Sequence, residues 1–189
     1  GAVIGHPLEN LDDLDGFIPP KPDLPAWTGK QYEAERKRVE ALKKNGHLVT
    51  AGTEHGFLFL RHTYLRGFEN AMLDYALGEE RLTDIYRMIL DYWMPFVQHH
   101  VKRGIDVMAF AEDLGTQEAT IISPKDFRKW IKPAYAQLMK PCKENGVLVY
   151  LHSDGKTLDI LEDQIAAGVD IVNPQDLCNG IDNIAGQIK

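Results

Sequence analysis

The chain has 189 residues, 44% of them hydrophobic, which is enough for one globular domain with a substantial buried core. Its formal net charge of −7 argues against a nucleic-acid groove or an anionic membrane surface as the main partner, because both require clustered lysine and arginine. Two cysteines are too few for a disulfide framework, and no apolar run reaches the length of a membrane span, so we expect a cytoplasmic protein.

Residues 1–29 are predicted to form an extended, proline-rich arm. The run FIPPKPDLP, residues 17–25, removes so many backbone hydrogen-bond donors that neither a helix nor a central strand can form there. The remainder, residues 30–189, is predicted to be a single domain.

The first half of that domain alternates short apolar runs with helical segments. Residues 30–46 are rich in strong helix formers and stop at an Asn-Gly pair, which indicates a surface helix. A strand is expected at residues 48–51, and helical spacing of apolar residues runs from 63 to 103 with a break at Gly78. A nearly continuous apolar run then closes on an acidic pair, as a buried strand would.

The second half repeats this cycle. Ser123, Pro124 and Asp126 form a good helix opening, with serine as N-cap and proline at the first helical position. The remaining elements are predicted as a strand at 147–155, a helix at 158–167 ended by Gly168, a strand at 169–175 and a helix from about Ile181. Strands that alternate with helices and are continuously apolar are typical of a parallel sheet buried on both faces, and four such units can be counted.

Polar side chains follow each predicted strand at the point where it ends. The carboxyl ends of parallel strands lie on the same edge of the sheet, which is where such folds place their active sites. Helix capping alone can account for any one of these residues, so the prediction of a common site depends on all four strand ends together. The set comprises Thr53, Glu54 and His55, then Glu112 and Asp113, then His152 and Asp154, and finally Asn173 and Gln175.

His152 and Asp154 form the most specific pair. Residues two apart in a strand point to the same side, where an imidazole and a carboxylate can share one divalent ion. The alternative is a tight turn at Asp154-Gly155, with Asp154 capping the next helix and His152 hydrogen-bonded in the interior. Glu112 follows an apolar run and would be costly to bury unless it is paired with a cation, a metal or a proton.

Other local motifs are weaker. Arg61 and Arg66 are candidates for binding an anionic substrate, but we favour solvated arginines paired with Glu69 or Asp74. The sequence contains no phosphate loop with its Lys-Ser/Thr pair, no G-x-S-x-G nucleophile elbow and no HExxH helix.

Three segments of the chain keep a specific order of motifs, namely GHPLENLDDLDGFIPPKPD, AEDLGTQEATIISPKDFRKWIKPAY and GVLVYLHSDGKTLDILEDQIAAGVDIVNPQD. Their acidic strand end, Ser-Pro helix start, His-x-x-Gly strand end and Asn-Pro strand end resemble the uroporphyrinogen decarboxylase superfamily, in which decarboxylases occur beside corrinoid-dependent methyltransferases. The resemblance implies a (β/α)8 barrel of the TIM type. A full barrel needs about 250 residues, so we expect only half to two-thirds of it in this chain.

The resemblance also implies residue roles. In the zinc-dependent methyltransferases of the group the third strand ends in His-x-Cys, and this sequence matches the histidine with His152 but has Asp154, a harder ligand, in the cysteine position. A further cysteine ligand of the family would lie beyond Lys189. Together with the strand-end pattern, the resemblance implies Glu112, Asp113 and His152 as catalytic residues, His152, Asp154 and Glu112 as metal ligands, and His55, Gln117, Asn173 and Gln175 as substrate-binding residues.

Three functions are open at this point. The first is a methyltransferase that moves a methyl group between a methylated donor, a corrinoid on a partner protein and an acceptor such as a thiol, with Zn²⁺ as its metal. The second is uroporphyrinogen decarboxylation in porphyrin biosynthesis, which needs no cofactor but requires cationic side chains for the carboxylates of the substrate. The third is a non-catalytic barrel fragment. The first two imply a small-molecule substrate, and a homo-oligomer is compatible with all three.

Overall fold

The computed structural model describes residues 3–22, 24 and 29–180. Within them, four parallel strands alternate with helices, which confirms the predicted α/β architecture. The strands pair in the order of the sequence and are β1 (Thr50–Gly52), β2 (Val107–Asp113), β3 (Leu148–Asp154) and β4 (Ile171–Pro174). The helix expected from Ile181 lies outside the described residues.

Helices connect each strand to the next, and right-handed crossovers between neighbouring parallel strands place these connecting helices on one face of the sheet. None of the helices in the described ranges is long and apolar enough to cross a membrane. In chain order they are α1 (Gly29–Lys44), α2 (Phe59–Arg66), α3 (Phe68–Leu77), α4 (Leu82–Arg103), α5 (Pro124–Asp126), a π-helical turn (Phe127–Ile131), α6 (Lys132–Glu144), a 3-10 turn (Leu158–Ile160), α7 (Leu161–Ala167) and α8 (Asp176–Asn179).

Several helix boundaries follow the predicted signals. Ser123 Oγ accepts a hydrogen bond from the backbone N–H of Asp126 at 3.1 Å, so α5 begins at the expected cap. Gly78 ends α3 with a left-handed φ of 68°, as predicted. The segment 63–103 nevertheless forms three helices rather than two, because a further break occurs at Gly67. Strand β1 begins two residues later than expected.

The amino-terminal arm is not extended throughout. A 3-10 helix, Leu11–Asp15, begins after Asn10, whose side chain accepts a hydrogen bond from the backbone N–H of Asp12. Leu8 is fully buried, and its N–H donates to the carbonyl of Leu65 at 2.8 Å. The arm therefore packs against α2 instead of projecting from the domain.

The two faces of the sheet differ in burial. On the face that packs against the helices, side chains from β2 and β3 such as Met108, Phe110 and Val149 are essentially inaccessible to solvent. On the opposite face, which we call the open face, Leu148 is 44% and Ile171 38% exposed, so the prediction of burial on both faces is wrong for the described residues. In a closed (β/α)8 barrel the face away from the helices is the barrel interior, and the open face corresponds to it.

Candidate functional site

Polar side chains from three strands meet at the carboxyl edge of the open face. In the parallel register Asp113 pairs with Asp154, and His152 pairs with Asn173. Register partners on neighbouring strands, like residues two apart in one strand, place their side chains on the same face. Asp113, His152, Asp154 and Asn173 therefore share the open face.

Glu112 does not reach this edge, contrary to expectation. It is fully buried on the helix-covered face, where its carboxylate accepts hydrogen bonds from the backbone N–H groups of Leu58, Phe59 and Leu60 at 2.5, 2.8 and 3.0 Å. These N–H groups belong to the start of α2 and have no partner within that helix. Burial raises the pKa of Glu112 to about 7, although the three backbone donors act in the opposite direction. Glu112 thus anchors α2 to β2 and is not placed to bind a metal on the open face.

Asp113, the next residue, faces the open side and holds His55. The Nε2 atom of His55 lies 3.0 Å from Oδ1 of Asp113, and both side chains are partly exposed. None of the described residues hydrogen-bonds the other ring nitrogen of His55. A carboxylate that holds one nitrogen of an imidazole orients the ring for proton transfer at the other. The pair therefore has the arrangement of a general base and the group that orients it.

His152 is held in one tautomer by β4. Its Nδ1 atom lies 2.8 Å from the side-chain oxygen and 3.0 Å from the backbone oxygen of Asn173. Both oxygens accept hydrogen bonds, so the two contacts together favour the tautomer that carries the proton on Nδ1. In the neutral ring the remaining lone pair is then on Nε2, which lies 3.4 Å from Oδ1 of Asp154.

The contact between His152 and Asp154 joins two groups that both lack a proton when the imidazole is neutral. A lone pair and a carboxylate oxygen at 3.4 Å cannot hydrogen-bond to each other and require a cation or an additional proton between them. Two ligands bound to a tetrahedral zinc ion at about 2.0–2.1 Å lie roughly 3.3 Å apart, which is close to the observed separation. The pair therefore fits as two of the ligands of a divalent ion.

The described residues do not assemble a complete metal centre by themselves. Among residues 3–22, 24 and 29–180, no group of three or more His, Cys, Asp or Glu side chains is placed to hold a metal ion. Glu112, the expected third ligand, is excluded by its position on the opposite face. Any further ligands would have to come from outside the described residues.

The predicted substrate-binding glutamines form an amide cluster beside this pair. The side-chain oxygen of Gln175 accepts hydrogen bonds from the backbone N–H of Gly155 at 3.1 Å and from Nε2 of Gln117 at 3.3 Å, and Cys178 Sγ lies 3.4 Å away. Because its oxygen is used in this way, Gln175 presents its NH₂ group as the remaining polar end. The cluster therefore offers hydrogen-bond donors to a ligand at the carboxyl edge.

The loops that follow β2 and β3 are in direct backbone contact. Gly115 donates to the carbonyl of Asp154 at 3.2 Å, and Lys156 donates to that of Thr116 at 2.7 Å. A Cβ atom on Gly155 would lie 1.9 Å from the carbonyl oxygen of Gly115, and the φ of Gly155 is 77°. Only glycine permits this approach, which fixes the position of the His152 and Asp154 strand end relative to β2.

Replacement of Gly155 by alanine is expected to lower the free energy of unfolding by about 2 to 4 kcal/mol, because the strand ends must separate and a side chain must adopt a left-handed conformation. Urea denaturation measures the change. Gly146→Ala is the matched control, since Gly146 has a φ of 68° but nothing within 4 Å of its added Cβ. Equal losses of unfolding free energy in Gly155→Ala and Gly146→Ala would show that the contact between the two loops does not stabilise the fold.

The two arginines considered as anion-binding residues are both paired within the chain. Arg66 is buried and forms a bidentate ion pair with Asp74 at 2.7 and 2.9 Å. The predicted pairing with Asp74 is therefore present, but the prediction that Arg66 is exposed to solvent is wrong. Arg61 pairs with Glu54 at 3.3 Å rather than with Glu69 or Asp74. Arg66 is therefore committed to Asp74, whereas Arg61 uses one nitrogen for the exposed Glu54, and its buried Nε has no hydrogen-bond partner among the described residues.

Asn179 was not identified from the sequence. It is buried at the end of α8, where its side-chain oxygen accepts from the N–H of Thr157 and its Nδ2 donates to the carbonyl of Gly155, both at 2.8 Å. It therefore holds the loop after β3. The only local signal was the glycine that follows it, which indicates the end of a helix and says nothing about the loop that is contacted.

Comparison with known proteins gives one family and one fold. The family model for uroporphyrinogen decarboxylase matches residues 1–183. No curated protein matches the chain in sequence. A methyltransferase from Methanosarcina mazei has a similar structure, with a TM-score of 0.56 and 16% sequence identity over 90% of this chain and 48% of its own. At that identity the likeness shows the fold alone, and the chain spans about half the length of that protein.

Proposed function

The chain belongs to the uroporphyrinogen decarboxylase family and forms part of a (β/α)8 barrel, and from this premise we propose that its open face is part of the active site of a methyltransferase. The proposed reaction moves a methyl group between a methylated donor, a corrinoid carried by a partner protein and an acceptor such as a thiol. The structural likeness to a methyltransferase supports the fold on which this chemistry would take place.

One observation carries the proposal. Nε2 of His152 faces the Asp154 carboxylate at 3.4 Å while Nδ1 is committed to Asn173, so a neutral imidazole leaves two electron-pair donors directed at one point. A divalent ion bound there would lower the pKa of a coordinated thiol and so raise its nucleophilicity. Asp154 stands where the zinc-dependent members have cysteine. Its carboxylate oxygen is a harder ligand than a thiolate sulfur, so the site is less selective for zinc.

Other residues of the open face supply the remaining roles in this proposal. His55, oriented by Asp113, is the base that accepts the proton of the acceptor at its free ring nitrogen. Gln175 and Gln117 orient a polar group of the substrate through their amide hydrogens. Water is excluded only when the open face is covered, as it is in a closed barrel.

Replacement of His152 by alanine is expected to remove about one bound divalent ion per chain, because Asp154 by itself supplies too few ligand atoms to hold the ion. Metal content is measured by elemental analysis after equilibration with Zn²⁺ and removal of the excess. His47→Ala is the control, since His47 is exposed and precedes β1 at the opposite edge of the sheet. A wild-type protein without metal, or unchanged metal content in His152→Ala, would contradict the proposal.

The second candidate is uroporphyrinogen decarboxylation, and the description of the matching family model favours it. It requires several cationic side chains for the substrate carboxylates. Of the two arginines considered, Arg66 is buried against Asp74, and Arg61 forms one ion pair with the exposed Glu54. Release of carbon dioxide from uroporphyrinogen by the metal-free protein would establish this function. Absence of both metal binding and decarboxylation would instead support a non-catalytic barrel fragment.

A further inference from the structure

Asn173 contacts His152 through two different atoms. The side-chain oxygen and the backbone oxygen of Asn173 lie 2.8 and 3.0 Å from the same Nδ1 atom. The backbone oxygen belongs to β4 and would be present with any residue at this position. The side-chain oxygen is specific to asparagine and is the shorter of the two contacts.

The residue that follows stabilises this arrangement. Pro174 disfavours the helical conformation at Asn173 and keeps that residue extended, as it is in β4. Proline also lacks a backbone N–H, which is compatible with its place in the last described strand of the sheet. The backbone of Asn173 is therefore restricted to the extended conformation in which both of its oxygens contact Nδ1 of His152.

We propose that Asn173 is a positioning residue that fixes the tautomer and ring orientation of His152, so that Nε2 is directed at Asp154. The side-chain contact limits rotation of the imidazole, while the backbone contact alone would allow the ring to tilt around a single hydrogen bond. This inference concerns the metal-free chain, and its link to metal affinity rests on the function proposed above.

Loss of the side-chain oxygen has two expected consequences. In Asn173→Ala the ring keeps one acceptor at Nδ1, so the tautomer with the proton on Nε2, which can donate to Asp154, becomes populated. Groups that orient a metal-binding histidine typically contribute 10–100-fold to metal affinity, and we expect a loss of about tenfold. Asn173→Asp keeps an acceptor at the same position and is expected to retain the wild-type tautomer.

The experiment is nitrogen-15 NMR of the histidine rings in the metal-free protein, well above pH ~6.5 so that an ordinary imidazole is neutral. The His152 signals are assigned with His152→Ala. Wild type and Asn173→Asp should show protonated Nδ1, and Asn173→Ala a mixture of tautomers. Asn145→Ala is the control, because Asn145 is exposed and caps α6 away from the site. Asn173 is itself exposed, so its replacement does not threaten folding.

The outcomes separate this inference from the proposed function. Protonated Nε2 in the wild type, or an unchanged tautomer in Asn173→Ala, overturns the positioning role even if the protein binds metal. A tautomer change in Asn173→Ala together with no metal binding in the wild type supports the positioning role and overturns the proposed metal site. Zn²⁺ affinity, measured by competition with a chromophoric chelator, provides the second readout.

Discussion

Replacement of Glu112 by alanine is expected to lower the free energy of unfolding by about 3 to 5 kcal/mol, although Glu112 was expected from the sequence to be a catalytic residue. The three N–H groups that it accepts from, those of Leu58, Phe59 and Leu60, would remain buried without a partner at the start of α2. A cavity would also open between α2 and β2. Denaturation in urea, followed by circular dichroism, measures the loss.

The adjacent acid provides the control. Asp113 lies on the open face and is partly exposed, so Asp113→Ala is expected to change stability much less than Glu112→Ala. A Glu112→Ala protein as stable as Asp113→Ala would show that the contacts of Glu112 with α2 do not stabilise the fold. The comparison separates two neighbouring carboxylates by the face of the sheet on which each one lies.

Stability should also depend on pH through Glu112. Its pKa is about 7 in the folded chain and returns to about 4.5 on unfolding. Between these values the folded chain holds a proton that the unfolded chain has released, so the free energy of unfolding falls as pH rises, by about 3 kcal/mol in total. Glu112→Gln cannot titrate and should lose this component. Equal pH slopes in the two proteins would contradict the raised pKa.

The second large effect is expected for Arg66. Arg66→Ala should lower the free energy of unfolding by about 3 to 5 kcal/mol, because it removes both guanidinium hydrogen bonds from the buried Asp74 carboxylate and leaves His62 as its remaining side-chain partner. The Arg66 guanidinium also donates to the carbonyls of Leu8 and Glu9, so the same change should free the amino-terminal arm. Urea denaturation measures the first effect, and limited proteolysis of the arm measures the second.

Two further variants make the Arg66 prediction specific. Arg87→Ala removes an exposed ion pair with Asp84 and should scarcely change stability. The double variant Arg66→Ala, Asp74→Ala should lose less than the sum of the single variants, because no uncompensated charge stays buried. Additive losses, or equal losses in Arg66→Ala and Arg87→Ala, would mean that burial does not strengthen this pair.

The order of strands and helices could be predicted from local signals. Ser123 at the start of α5 and the glycines after α3 and α7 each act within a few residues, so their effect is visible in a short stretch of sequence. The strand ends were likewise predicted to share one edge, because parallel strands leave no other arrangement. The family resemblance was detectable because it depends on the order of these same motifs.

Neighbouring residues of a strand point to opposite faces, and the sequence did not show which face was covered. The run that precedes Glu112 is apolar at nearly every position, so it carries no alternation from which the two faces could be told apart. Packing of α2 against β2 buries Glu112 and leaves Asp113 on the open face. One residue of difference thus separates a structural anchor from a candidate functional group.

The sequence by itself determined the alternation of strands and helices, the helix boundaries at Ser123, Gly78 and Gly168, and the set of polar residues at the strand ends. Only the tertiary structure decided that Glu112 faces the helices, that Arg66 is buried against Asp74, and that Asn173 contacts Nδ1 of His152. The physical reason is distance along the chain. The helix boundaries and the polar strand ends each depend on residues within one turn or one strand. The contacts of Glu112, Arg66 and Asn173 each join segments that only folding brings together.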